Sequence, residues 1–185
     1  MLNAKTIAKY FIYLLDDAIN DLTNMKLNKL LYFAQGHYLG EKNRRLFNDD
    51  IQAWEHGPVV KEIYQEYKKY EDRSINVKKV KIDTNFSILS DMDKRFLLAI
   101  ARQYGSFTAS QLRNITHKAG SPWSQVYKKG VQNIIIPTSV MKEYFKDAER
   151  IEPLQLEYDE DDFIGYRDKD GYLVLPADWD DEQIQ

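Results

Sequence analysis

Cysteine is absent from this chain of 185 residues. That excludes a disulfide framework, thiol nucleophiles and any zinc site built on thiolates. Histidine is scarce: His37, His56 and His117 are scattered, and none stands at a metal-ligand spacing such as HExxH. No G-x-S-x-G elbow and no phosphate-binding Gly-Lys-Ser/Thr loop occurs. No apolar run approaches the roughly 20 residues that a membrane-spanning helix needs. The N-terminus is amphipathic, but it carries acidic residues and no small-residue cleavage site, so it does not read as a signal peptide. Internal repeats are missing too. These absences leave a cytoplasmic protein as the expectation, with no metal and no cofactor.

What is present is enough for a sizeable core: 43% of residues are hydrophobic and 13% aromatic, a length and composition that suit one domain. Charge is divided unevenly along the chain. Residues 151–185 hold two basic residues, Arg167 and Lys169, against twelve acidic ones, about −10. Subtracting these from the totals leaves 24 basic and 17 acidic residues in 1–150, about +7. A basic body with an acidic tail implies internal neutralisation, a charged partner or a solvated extension.

Helical periodicity dominates. Ile7, Tyr10, Phe11 and Leu14 predict a helix over 3–19, broken at Asn20 and Asp21. Leu27, Leu30, Leu31, Ala34 and Tyr38 make the apolar stripe of a second helix, with Thr23 or Asn24 at its start and Gly36 or Gly40 at its end. The loop 41–50 carries Leu46 and Phe47, which tuck inward. Trp54 then precedes Gly57, Pro58 and Val59, read as a tight entry to a helix with Pro58 in its first turn. Trp54 is expected to bury most of its ring against the second helix. Residues 77–82 read as a short strand or extended loop. Ser90, Thr108 with Gln111, and Ser121 before Pro122 and Trp123 are helix starts. Residues 134–136 read as a buried extended segment, and Pro137 opens a last helix.

The tail has aromatic and aliphatic anchors. Residues 163–175 pattern as a hairpin around Asp168, Lys169, Asp170 and Gly171, expected to dock by its apolar faces. The fold class is therefore mainly α: a compact multi-helix domain with a minor β element over 1–147, then an acidic C-terminal extension with a β-hairpin over 148–185.

Chemistry is harder to find. His56 with Asp49 and Asp50 is the one arrangement that invites a hydrolase reading, and a polar residue at a helix entrance explains His56 better. A helix-turn-helix within 92–129, with Arg102, Arg113, Lys118, Lys128 and Lys129 nearby, offers a DNA-binding alternative that the pattern does not favour. Lys26, Lys29, Tyr32 and Gln35 recur every third residue on a side of the second helix away from the leucines, and are the candidate partner-binding face.

Taken in order, KLNKLLYFAQGHYLG (26–40), LFNDDIQAWEHGPVVKEIYQEYKKY (46–70), the capped helix at 90–104, LRNITHKAGSPW (112–123) and KEYF (142–145) resemble the Panacea domain, also described as SocA-like antitoxin or phage-associated GepA-like protein. The resemblance covers about 3–147. Asn28 departs from it, since the family commonly has Gln there. The resemblance implies a non-enzymatic antitoxin of bacteria or prophages that binds a cognate toxin directly; one branch of the family delivers its toxin to a protease. It marks Leu27, Leu30, Leu31, Trp54, Gly57, Pro58, Val59, Pro122 and Trp123 as structural motif positions. It assigns no role to 148–185.

Overall fold

The structure, a computed structural model, describes residues 2–16, 22–80, 82 and 85–148, together with 166–167 and 173–174. The chain divides into two compact units, Met1–Leu154 and Gln155–Gln185. The described part of the first unit is mainly helical, with eight helices and a small antiparallel sheet.

The helix α2 (Asn24–Lys42) is the axis of this unit. Every residue from 26 to 39 is buried, because α1 (Ala4–Leu15), α3 (Lys61–Tyr67), α5 (Asp91–Tyr104), α6 (Ala109–Thr116), α8 (Thr138–Lys146) and strand β2 (Gly57–Val60) all pack against it. The expected solvent-facing polar side is therefore corrected: a helix surrounded on all sides has no such face. Thr23 caps its start, as its sequence predicts, with the side chain accepting from Lys26 N at 3.3 Å. The expected end at Gly36 or Gly40 is also corrected. The helix runs on to Lys42, where Asn43 takes the left-handed cap position, φ 54°, and donates to Leu39 O. Both glycines instead let α8 approach. A Cβ on Gly36 would collide with the Phe145 ring, and one on Gly40 would lie 2.5 Å from the Phe145 carbonyl oxygen.

The loop after α2 folds back beneath it. Gln35 stands in for a neighbouring strand: its Oε1 accepts from Leu46 N and Phe47 N, and its Nε2 donates to Phe47 O. Leu46 and Phe47 are thereby buried, as expected. Asp49 accepts from Ala4 N at 2.7 Å, and Asp50 pairs with Arg45 at 3.0 Å. The two carboxylates of the hydrolase reading thus have structural tasks at opposite sides of one loop.

Strand β1 (Ile51–Trp54) pairs with β2 in register Ile51 opposite Val60 and Trp54 opposite Gly57. Pro58 therefore sits in a strand, not in the first turn of a helix, and α3 begins three residues later. The other edge of β1 is covered by 134–136: Ala53 N donates to Ile134 O and Ile136 N to Ile51 O, both at 2.8 Å. Ile136 is buried there while Ile135 faces outward, 49% exposed, so this segment is extended but only partly buried. The stretch expected to be extended at 77–82 contains a short helix instead, α4 (Val77–Val80), which Asn76 caps through Lys79 N. Local capping outweighed the alternation of valines with lysines.

Ser90, Thr108 and Ser121 cap α5, α6 and α7 (Pro122–Val126) as expected; Thr108 and Gln111 form a reciprocal capping box. In the second unit the described residues are β3 (Tyr166–Arg167) and β4 (Leu173–Val174), paired antiparallel. The rest of the expected hairpin, its docking, and the break at Asn20 and Asp21 lie outside the described residues.

Candidate functional site

Three sequence motifs meet at Gly57. The hairpin turn is Glu55 and His56, neither with positive φ, followed by Gly57 at φ 101°. A glycine closing a two-residue turn in this way supplies the left-handed step that reconnects the strands. The space is closed as well: a Cβ on Gly57 would lie 2.8 Å from Lys29 Cε and 2.9 Å from Thr116 Oγ1. Lys29 comes from the first motif and Thr116 from the third, so this glycine is where α2, the hairpin and α6 touch.

Around that point the backbone of β2 is held by side chains of α2. Asn28 Oδ1 accepts from Val60 N at 2.9 Å, and Lys29 Nζ donates to Pro58 O at 3.0 Å. Asn28 is in turn fixed by Asn24, whose own amide donates to Tyr64 O. Glutamine in place of Asn28 would be one methylene longer; asparagine here reaches both its partners. Burial removes Lys29 from water, and with Arg113 nearby its amine is pushed down to about 7.

On the opposite side the third motif grips the turn. Trp123 Nε1 donates to Trp54 O at 2.8 Å. The His117 nitrogens face Arg113 O at 2.8 Å and Glu55 O at 3.2 Å. The His117 ring lies on Trp123, centroids 3.7 Å apart, and Trp123 stacks on Tyr127 at 4.4 Å. Ser121 donates to Thr116 O at 2.6 Å, which ties α7 back to α6. Pro122 occupies the first turn of α7 and is buried.

This scaffold presents Trp54 half-buried rather than enclosed. Its ring meets Tyr64 edge-on at 4.8 Å, its indole N–H donates to Gln52 Oε1, and it shares a groove with Met25 and Lys29 of α2. Trp54 forms a wall of two grooves. One, of about 450 Å³, is lined by residues including Met25, Lys29, Val59, Tyr64 and Glu71. The other, of about 360 Å³, lies between the hairpin tip and the loop from Tyr127 to Asn133. Both are open, with Glu55 on the rim shared between them. Such a partly wet aromatic on a rigid frame suits recognition of a partner side chain.

The residues expected to form a partner-binding face fare differently. Lys26, Lys29, Tyr32 and Gln35 are all buried, and Gln35 holds the 46–47 loop. Tyr32 packs against Phe33 and Phe145, and its hydroxyl finds no partner among the described residues. Of the four, only Lys29 lines either of these two grooves. Leu27, Leu30 and Leu31 are fully enclosed, Val59 and Pro122 buried, and Trp123 is 7% exposed. The sequence reading missed Met25, Tyr64 and the 127–133 loop as groove walls. Glycine at 130 and asparagine at 133, both with positive φ, marked that loop as a shaped turn. No group of three or more His, Asp or Glu side chains gathers at metal-binding spacing among the described residues. No described helix is long and apolar enough to cross a membrane.

The sequence profile of the family described as "Antitoxin SocA-like, Panacea domain" matches residues 27–124. That span runs from the start of α2 through the hairpin to α7 and includes every wall of the Gly57 junction. The chain is also 29% identical over 146 residues to Antitoxin SocA of Caulobacter vibrioides (strain NA1000 / CB15N), covering 73% of this chain and 76% of that protein. No solved structure matches it. The profile match spans more than half the chain and falls on the motifs that build the junction, so this protein belongs to the SocA-like antitoxin, Panacea-domain family.

Proposed function

We propose that this protein neutralises a protein toxin by direct binding, and that Trp54 with its two grooves is the surface that holds it. The observation carrying the proposal is that three separated motifs converge to fix a tryptophan that stays partly exposed. A purely structural tryptophan gains most by full burial; one held rigid at the surface gives contact area at low entropic cost. Family membership supports a toxin as the occupant. Lys29 contributes a donor to the floor of the larger groove, and no catalytic step is involved. The acidic extension increases the encounter rate with a basic toxin through long-range attraction.

The test is co-expression with a candidate toxin from the neighbouring reading frame, scored by growth and by co-purification. Trp54→Ala is expected to lower stability by about 1–2 kcal/mol, below the 3–5 kcal/mol of a fully buried aromatic, and to abolish capture of the toxin. A folded Trp54→Ala variant that still captures the toxin at full strength sinks this assignment of the surface. Direct neutralisation also requires that the toxin level stays constant in rescued cells; a level that falls only while a protease is active identifies delivery for degradation instead.

A further inference from the structure

A second concave site lies on the body, and its walls are cationic. Between the 3-10 turn Lys68–Tyr70, the loop that follows and α4 is a cavity of about 310 Å³ lined by Lys69, Tyr70, Arg73 and Lys79. The Tyr70 hydroxyl donates to Lys79 O at 3.1 Å, which joins α4 to the turn. The Lys69 ammonium sits 5.2 Å from the Tyr70 ring centroid. Lys79 Nζ donates to Ser74 O at 2.7 Å, and the Arg73 guanidinium donates to Tyr70 O and Lys69 O, both at 3.4 Å.

The partners of these three cations are carbonyl dipoles and a ring face. No described carboxylate pairs with any of them; the described ion pairs lie elsewhere, at Lys5 with Glu66, Arg45 with Asp50 and Lys94 with Asp91. The turn's own acids do not wall the cavity either, and Glu71 lines the Trp54 groove instead. Carbonyls orient an ammonium group without neutralising it, so three positive charges surround one small cavity with no described carboxylate paired to them. The Arg73 bonds are at the weak end of hydrogen-bond length, so the guanidinium turns toward a ligand at little loss.

We propose that this cavity binds a phosphate group, carried either by a free nucleotide or by a nucleic-acid backbone. A phosphate offers several oxygens and more than one negative charge, which suits one forked guanidinium and two point-charge ammonium groups better than a single carboxylate does. No residue lines both this cavity and the Trp54 groove, although Lys68 and Glu71 of the same turn line the groove, so shifts at Lys69, Arg73 and Lys79 distinguish the two sites.

The experiment is an amide NMR titration of the full-length protein with three probes: inorganic phosphate, ATP and a short random-sequence DNA duplex. Wild-type protein is expected to show saturable shifts confined to residues 68–80 with at least one probe. A Lys69→Gln, Arg73→Gln, Lys79→Gln variant is expected to bind that probe about tenfold or more weakly, with an unchanged melting midpoint because all three side chains are exposed. Binding of phosphate or ATP but not of the duplex identifies a small phosphate ligand. Duplex binding whose salt dependence falls in slope by about 2–3 in the variant identifies a nucleic-acid backbone. The absence of saturable shifts at 68–80 with every probe overturns the proposal, whatever the variant does. So does a folded variant that binds as tightly as wild type.

Discussion

Lys29 shows how one residue is given its meaning by its surroundings. Its Nζ meets the Pro58 carbonyl and no described carboxylate, and burial drops its amine from the usual 10.5 to about 7. The sign of the consequence follows from proton counting. Between pH 7 and 10.5 the unfolded chain binds the lysine proton that the folded protein has released, so stability rises with pH across that window. The cost of the buried charge is fully present below pH 7. Lys29→Met removes this dependence. Unfolding free energies from urea titrations at pH 7, 8 and 9 are expected to rise in the wild type by up to about 1.4 kcal/mol per pH unit and to stay level in the variant. The variant carries a pH-independent cost of about 1 kcal/mol for the Pro58 carbonyl left unpaired. Equal slopes in the two proteins place the proton elsewhere. The lysine's role was not legible in KLNKLL, because its spacing from the leucines reads equally well as a wet face or as a second buried face.

At the scale of elements, the pairing of α2 with α8 decides how tightly the body closes. Gly36 and Gly40 recur one turn apart, and α8 enters the space they leave, bringing Phe145 against Tyr32, Phe33 and His37. His37 is held neutral by this burial, its pKa pushed down to about 4, with Nε2 2.7 Å from the Tyr104 hydroxyl. Gly40→Ala sets a methyl against the backbone of α8 rather than against a movable side chain. It is expected to destabilise the protein by about 1–3 kcal/mol, the usual range for overpacking, although alanine favours a helix by about 1 kcal/mol over glycine at an open site. A denaturation midpoint that rises in Gly40→Ala shows that α8 moves freely away from α2. The helix starts were readable because a cap is a local bond over three residues, as at Ser90, Thr108 and Ser121. The C-terminal end of α2 and the strand character of Pro58 were not. A glycine that stops a helix and one that admits a neighbour are the same letter, and β2 exists only because β1 and the Asn28 and Lys29 side chains meet its edges.

For the whole molecule, charge is the property that local structure does not use up. Residues 1–150 carry about +7 and residues 151–185 about −10. Under the proposed function, deleting 155–185 slows association with a basic toxin severalfold at low ionic strength, and the rates converge as salt screens the attraction over about 10 Å at 0.1 M. Stopped-flow association at two salt concentrations checks this; equal rates at low salt remove the steering role. The family, the mainly helical class and the positions of most helices were determined by the sequence alone, because periodicity, caps and the order of the KLNKLLY, AWEHGPV and THKAGSPW motifs are written along the chain. Which polar residues face inward, and that Trp54 remains partly exposed between two grooves, was decided by tertiary structure. Burial on all sides of α2 depends on six elements from distant parts of the sequence, and no short window of residues contains that information.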